Sequence, residues 1–264
     1  MSSATDYESI LKQFDPISLS EMESVKLMNR IDTKYVVSIR QLPVILRKAL
    51  KEYYAQEIDG IRLATYDTMY YDTDDTDMYI RHHDRQLVRQ KIRIRQYVDS
   101  DLTFLEVKKK NNKGRTKKKR ITLPVVVPTG EVIGKNKKGE ISVKEFIAAK
   151  SRYSWDELTP HLRTAFRRIT LVNKAKTERL TIDLNLVWEN QVTGRKETIP
   201  DLVIIELKRD GNVPSPMLDI MLEERIHPLK MSKYCVGTAL TNPDIKQNRF
   251  KRKIRRIEKL LSTK

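Results

Sequence analysis

The feature that most constrains this chain is a two-residue alternation of charge and hydrocarbon, repeated in separate segments. In an extended strand, residues i, i+2 and i+4 share one face. Arg89, Lys91, Arg93 and Arg95 therefore share a face, with Val88, Ile92 and Ile94 opposite. Glu106, Lys108 and Lys110 oppose Leu105 and Val107, and Lys118, Arg120 and Thr122 oppose Ile121 and Leu123. Arg179, Thr181 and Asp183 oppose Leu180, Ile182 and Leu184. Glu206 and Lys208 oppose Val203, Ile205 and Leu207, and Arg30, Asp32 and Lys34 oppose Ile31 and Tyr35. A period of two does not suit a helix, so each segment reads as a strand with one apolar and one charged face.

The plain reading of any one such strand is a half-solvated antiparallel sheet. Taken together the strands ask for more, because their charged faces carry mostly Lys and Arg. Lys plus Arg is 52 against 35 for Asp plus Glu, a net charge of +17. Like charges facing each other across a sheet repel. An anionic partner relieves that cost, and several charge-assisted hydrogen bonds would hold a polyanion on such a face. A barrel with the polar face inward concentrates the cations further.

Other classes drop out quickly. A single cysteine, Cys235, excludes a disulfide framework and any multi-cysteine zinc site, and reads as a small core residue. No run of apolar residues is long enough to cross a membrane, and no secretory leader is seen, so a cytoplasmic protein is expected. Gly-rich phosphate loops, helix-turn-helix patterns and RNA-recognition signatures are missing, so no specific nucleic-acid recognition is expected.

The coarse element order is mixed. Helices are expected at 18–30, with Ser20 and Glu23 as a capping box, and at 42–53, 142–150, 154–165 and 216–225. Strands are expected at 31–39, 61–71, 87–97, 102–110, 117–127, 168–173, 179–188 and 202–208. Residues 130–139 read as a loop, and His82-His83 as a solvated turn. One α+β domain over residues 1–242 is expected, followed by a basic helix at 243–264. Phe250, Ile254, Ile257, Leu260 and Leu261 fall near one face of that helix. It reads as packing on the body, with contact to an acidic membrane surface or to polyphosphate as alternatives. Among the carboxylates, Glu206 in its apolar strand is the best metal ligand, with Glu106 and Asp183 weaker.

Short motifs then occur in a familiar order: Arg30-x-x-x-Lys34-Tyr35, Tyr70-Tyr71-Asp72-Thr73-Asp74, Arg93-Ile94-Arg95-Gln96-Tyr97, Glu106-Val107-Lys108, Arg179-Leu180-Thr181-Ile182-Asp183, Glu206-Leu207-Lys208 and Ser232-Lys233-Tyr234. In this the chain resembles the VTC domain, the catalytic domain of the vacuolar transporter chaperone polyphosphate polymerase, within the triphosphate tunnel metalloenzymes and their CYTH relatives. The resemblance implies an eight-stranded antiparallel β tunnel with a basic interior and helices packed outside. It implies ATP and inorganic polyphosphate as partners, with Mn²⁺ or Mg²⁺ as cofactor. Carried over by position, Arg93, Arg95, Lys108, Arg179 and Glu206 would be catalytic, with Glu206 as metal ligand and Glu106 as a second candidate. Arg30, Lys34, Lys91, Lys118 or Arg120, Lys174, Lys208 and Lys233 would bind phosphate. Lys174 stands where the fungal proteins have arginine, which keeps charge but loses bidentate binding. The fungal phosphate-sensing and transmembrane regions are not seen, and in this the chain is similar to compact bacterial members.

The reaction so implied is transfer of the ATP γ-phosphate to a growing chain. The alternatives are a tripolyphosphatase or nucleoside triphosphatase on the same fold, and a non-catalytic basic domain that grips polyphosphate or RNA.

Overall fold

The computed structural model describes residues 6–22, 25, 30–124, 132–211 and 213–262. The chain opens with helix α1 (Asp6–Leu11), strand β1 (Asp15–Ile17), a single turn α2 (Leu19–Met22) and strand β2 (Arg30–Ser38). Then come α3 (Leu42–Ala49), β3 (Tyr53–Gln56), β4 (Ala64–Asp72), α4 (Asp77–His83), β5 (Arg89–Tyr97), β6 (Leu102–Lys110) and β7 (Thr116–Leu123). A small hairpin, β8 (Ile133–Asn136) and β9 (Gly139–Ser142), leads into α5 (Val143–Lys150). Two long strands, β10 (Thr159–Asn173) and β11 (Glu178–Asn190), precede β12 (Lys196–Ile199) and β13 (Leu202–Asp210). Helices α6 (Pro216–Glu223), α7 (Lys233–Thr241) and α8 (Asn248–Ser262) complete the order.

The strands form one sheet along the path β2-β13-β11-β10-β4-β5-β6-β7-β8-β9, with β1, β3 and β12 paired off that path. Every pair on the path is antiparallel. Among the described residues no ladder joins β2 to β7, so the path is open at both ends. The fold is thus an antiparallel sheet with helices.

The register places the charges. Lys34 faces Glu206, Thr181 faces Glu206 from the other side, and Arg179 faces Lys208. Thr68 faces Arg95, Tyr70 faces Arg93, Arg93 faces Glu106 and Glu106 faces Arg120. Alternation therefore gathers the charged faces of β2, β13, β11, β10, β4, β5, β6 and β7 on one side of the sheet. The opposite side is hydrocarbon. Tyr35, Val37, Leu180, Ile182, Val203 and Ile205 pack against α1, α3 and α6, and Ile92, Leu105, Val107 and Ile121 pack against α5. Helix α3 belongs there because Leu42, Ile45, Leu46 and Ala49 recur at helical spacing and are fully buried.

Not every helix lies on the apolar side. Val36, Leu202, Ile204, Tyr66 and Tyr70 share parity with the charged residues, yet they are buried against Tyr234, Cys235, Val236 and Ala239 of α7 and Phe250 and Ile257 of α8. These two helices cover one end of the charged face, which corrects the expectation that all helices pack outside.

Three local expectations also change. The helix expected at 154–165 is only a short 3-10 turn, Trp155–Glu157, followed by β10. Leu158, Leu162 and Ala165 imitate helical spacing because β10 changes register beside Pro160 and again between Ala165 and Arg167. Each such irregularity breaks a period of two. Within the segment read as a loop, β8 pairs with β9; residues 130 and 131 lie outside the described residues. His82 and His83 stand in α4, with His83 buried, rather than in a solvated turn. The expected Ser20–Glu23 cap rests on Glu23, outside the described residues. Ser18 begins that turn instead, its N–H donating to Glu21 at 2.8 Å.

Candidate functional site

The charged face is built from β5 and β6 outward. Arg93 is 7% exposed, and its Nε and Nη2 donate to Glu106 Oε2 at 2.7 and 2.6 Å. Its Nη1 donates to the Tyr70 hydroxyl at 3.2 Å. Lys118 takes the other Glu106 oxygen at 2.9 Å. Glu106 has no exposed surface; burial works against its charge, but Arg93, Arg95 and Lys118 hold its carboxyl well below the usual range.

A second clamp sits on β10, β11 and α7. Arg168 Nε and Nη2 donate to Asp183 at 2.5 and 2.9 Å, and Lys233 donates to the same carboxylate. Asp183 is buried, and Arg168 and Lys233 keep it ionised against that burial. A third carboxylate, Glu206, is shared between Lys34 and Lys208, the latter at 2.9 Å.

Each central carboxylate is therefore already bonded to two cations. Cations remain. Among the described residues Arg95, Lys108 and Arg179 have no carboxylate partner. Arg95 is 6% exposed, donates from Nε to Thr68 Oγ1 at 3.0 Å and lies 5.5 Å from the Tyr66 ring. Burial and then Arg93 push its guanidinium down to about 10. Lys108 is pushed well down by Arg93, by burial and by Arg95. Arg179 is lowered by burial, Arg30 and Arg168, and its buried Nε has no partner, nor has Thr181 Oγ1 nearby on the same strand face. These are the marks of a surface shaped for an anion with several oxygens.

The VTC domain family matches the chain over residues 29–242, most of its length. The chain belongs to the VTC domain family. Similar solved structures include a candidate adenylate cyclase from Bacillus halodurans, at 14% identity and a TM-score of 0.47, covering 78% of this chain and 96% of that one. Another from Vibrio parahaemolyticus has 9% identity and a TM-score of 0.46 over 79% and 97%. A candidate adenylyl cyclase from Hippeastrum, described as having a dominant triphosphatase activity, has 15% identity and a TM-score of 0.41 over 80% and 96%. No curated protein matches the sequence.

For this VTC domain, the structure brings most of the expected residues together. Arg93, Arg95, Lys108, Lys118, Arg120, Arg179, Glu206, Lys208, Lys34 and Lys233 share the charged face, with Lys91 and Arg30 near the starts of their strands. Arg120 is exposed and stacks 4.2 Å from the Phe104 ring. Arg30 is exposed and bonded to Asp32. Lys174 is not brought in. It follows the last residue of β10, is exposed, and pairs with Asp15 at 3.1 Å. The turn points it away because the alternation that carries side chains to the face ends with the strand.

Sequence reading missed Arg168, Tyr66, Tyr70 and Phe166 as site residues. Arg168, Lys233 and Arg95 lie 5.2, 4.5 and 5.7 Å from the Phe166 ring, so one aromatic ring is flanked by three cations. The signal for Arg168 was present: Arg168 and Thr170 alternate with Ile169 and Leu171.

A divalent ion can be tested against these residues. Mg²⁺ keeps several waters and uses one or two carboxylates together with substrate phosphates. Among the described residues no group of three or more His, Cys, Asp or Glu converges. Glu206 retains 23% side-chain exposure, whereas Glu106 has none and Asp183 has 3%. The residues thus fit an ion that arrives with its phosphates at Glu206, and not an all-protein cage. Among the described residues no helix is long and apolar enough to cross a membrane.

Proposed function

We propose that this VTC domain is a polyphosphate polymerase that moves the γ-phosphoryl group of ATP to the end of an inorganic polyphosphate chain. A terminal phosphate oxygen of the chain forms a bond to the γ-phosphorus, the bond to the bridging oxygen breaks, and ADP leaves. The eight strands from β2 to β7 would curl around the substrate as a tunnel. Such a transfer has a loose transition state, and a protein aids it mainly by positioning and charge. The observation that carries the reading is the set of cations without carboxylates, Arg95, Lys108 and Arg179, beside Arg93, which Glu106 holds in place. Arg93, Arg95 and Lys108 would hold the transferred group, and Arg179, Lys208 and Arg168 its neighbour. Glu206 would hold a Mn²⁺ or Mg²⁺ ion, which would supply positive charge against the charge that develops during transfer.

A phosphate acceptor suits this face better than water does. Hydrolysis is helped by a basic carboxylate that positions water. Glu106 and Asp183 are held ionised by paired cations and buried, which makes them poor bases.

Purified protein with ATP and Mn²⁺ or Mg²⁺ should yield long polyphosphate on a stained gel, with ADP released in equal measure to phosphate incorporated. Glu206→Ala should lower that rate at least a hundredfold. ADP accompanied by equal free phosphate, with no polymer, would overturn the assignment in favour of a hydrolase.

A further inference from the structure

The charged face changes character at one end. Beyond Arg95 the next side chain on the same face of β5 is Tyr97, and across the ladder Phe104 faces Arg95. Leu102 stands opposite Tyr97 on that face and is 42% exposed. Tyr97 and Phe104 are both half-buried. This end therefore shows flat hydrocarbon to solvent directly beside the unpaired guanidinium of Arg95.

The rings are held in fixed planes. Tyr97 meets Phe104 edge to face at 5.6 Å and 82°, and leans on Tyr66 at 4.8 Å. Tyr66 in turn stacks on Phe166 at 5.3 Å. Such contacts orient an aromatic ring as well as burying it. The Arg120 guanidinium lies over Phe104, and among the described residues it has no carboxylate partner.

Core packing accounts for Tyr66 and Phe166, which are buried. It does not account for Tyr97, Leu102 and Phe104, which stay partly open on a face otherwise given to charge. Apolar area left in water next to a charged site marks a place where a ligand covers it. The ligand that suits both parts is anionic at one end and flat at the other. From Arg95 to Tyr97 the strand advances about 7 Å, a step that a sugar can span between a phosphate and a base.

We propose that Tyr97 and Phe104, with the Arg120 guanidinium beside them, seat the purine base of ATP. The nucleotide then lies with its base at the Phe104 end and its triphosphate running back over Arg95 and Arg93. The assignment rests on the polymerase reading, which makes ATP the triphosphate bound. Aromatic rings and guanidinium planes take a base by stacking.

The test pairs two ligands of equal charge on the full chain: ATP, and ribose 5-triphosphate, which has no base. With Mg²⁺ in calorimetry, the unaltered protein should bind ATP about tenfold tighter. The double variant Tyr97→Leu, Phe104→Leu keeps hydrocarbon but removes both rings. It should lose most of that preference while holding ribose 5-triphosphate within about twofold, which also shows that it folds. Its KM for ATP in the polymer assay should rise by a similar factor. Equal affinity of the unaltered protein for the two ligands would overturn the base seat, and polymer still formed from ATP would leave the polymerase standing. A preference for ATP that survives in the variant, or equal loss of both ligands, would overturn the seat as well. Binding of neither ligand by the unaltered protein, with no polymer, would end both readings.

Discussion

Tyr70 shows how a single side chain is tuned by this face. Burial alone would raise its phenol above the ordinary value of about 10. Arg93, Arg95, Lys91 and Lys233 overcome that and bring it down to about 8. Lys233 is also brought to about 8, by burial first, with Arg168 adding to it and Asp183 opposing. The sign follows directly. As pH rises through 8, Lys233 loses a positive charge and Tyr70 gains a negative one, so the face becomes less attractive to phosphate. Binding an anion reverses both ionisations and takes up protons. Tyr70→Phe removes one of them. We expect tripolyphosphate affinity to be little changed below pH 7, apart from a few-fold loss for the missing bond to Arg93. Between pH 8 and 10 the variant should gain on the unaltered protein by up to about tenfold per pH unit. Parallel pH profiles in calorimetry would remove Tyr70 from the site. Tyr70 opens one of the short motifs, but the motif gives it no role, because a tyrosine in a strand is ordinary. Its role comes only from the four cations the register brings around it.

At the scale of elements, helix α7 decides how one end of the face is built. It delivers Lys233 to Asp183, and it can approach closely only because Gly237 has no side chain. A Cβ there would stand 2.1 Å from Cδ1 of Trp188. Trp188 is fully buried and donates from Nε1 to the Lys233 carbonyl at 3.1 Å, so it has little room to retreat. Alanine favours a helix over glycine by about 1 kcal/mol, but overpacking costs about 1–3 kcal/mol or more. The clash wins. Gly237→Ala should lower the melting temperature by several degrees and weaken tripolyphosphate binding by displacing Lys233. A rise in melting temperature would mean that propensity dominates and that α7 is not seated on the indole. The elements themselves were unevenly legible. Strands such as β6, with hydrocarbon on one side and charge on the other, could be read residue by residue. Strand β10 could not, since Pro160 and the two register changes interrupt its alternation and leave a helix-like spacing. Arg168 is hard to read for that reason: its alternation with Ile169 to Leu171 begins only after the interrupted, helix-like stretch.

For the whole molecule, the excess of cations over partners means that the ligand-free fold carries unrelieved repulsion. An anion that binds the native face and not the unfolded chain stabilises by about 2.7 kcal/mol at a hundred times its dissociation constant. For a chain of this size that corresponds to roughly 5–10 °C. Tripolyphosphate should therefore raise the melting temperature by that much, and orthophosphate at equal concentration by far less. Equal shifts from both would indicate loose ion binding and no site for linked phosphates. The net charge of +17 points to an anionic partner, and the alternation foretold which strands carry the cations. The seating of α7 and α8 over one end of the charged face was not legible, because it depends on apolar residues such as Val36 and Ile204 that share parity with Lys34 and Glu206.

The cations left without carboxylates, Arg95, Lys108 and Arg179, carry a last consequence. A face with this excess of cations attracts the anions of any buffer, chloride, citrate or phosphate included. A phosphate ligand would therefore bind in exchange for those anions. Every affinity measured on this face is a competition constant, fixed as much by the buffer anion as by the phosphate chain, and values from phosphate and chloride buffers describe two different equilibria.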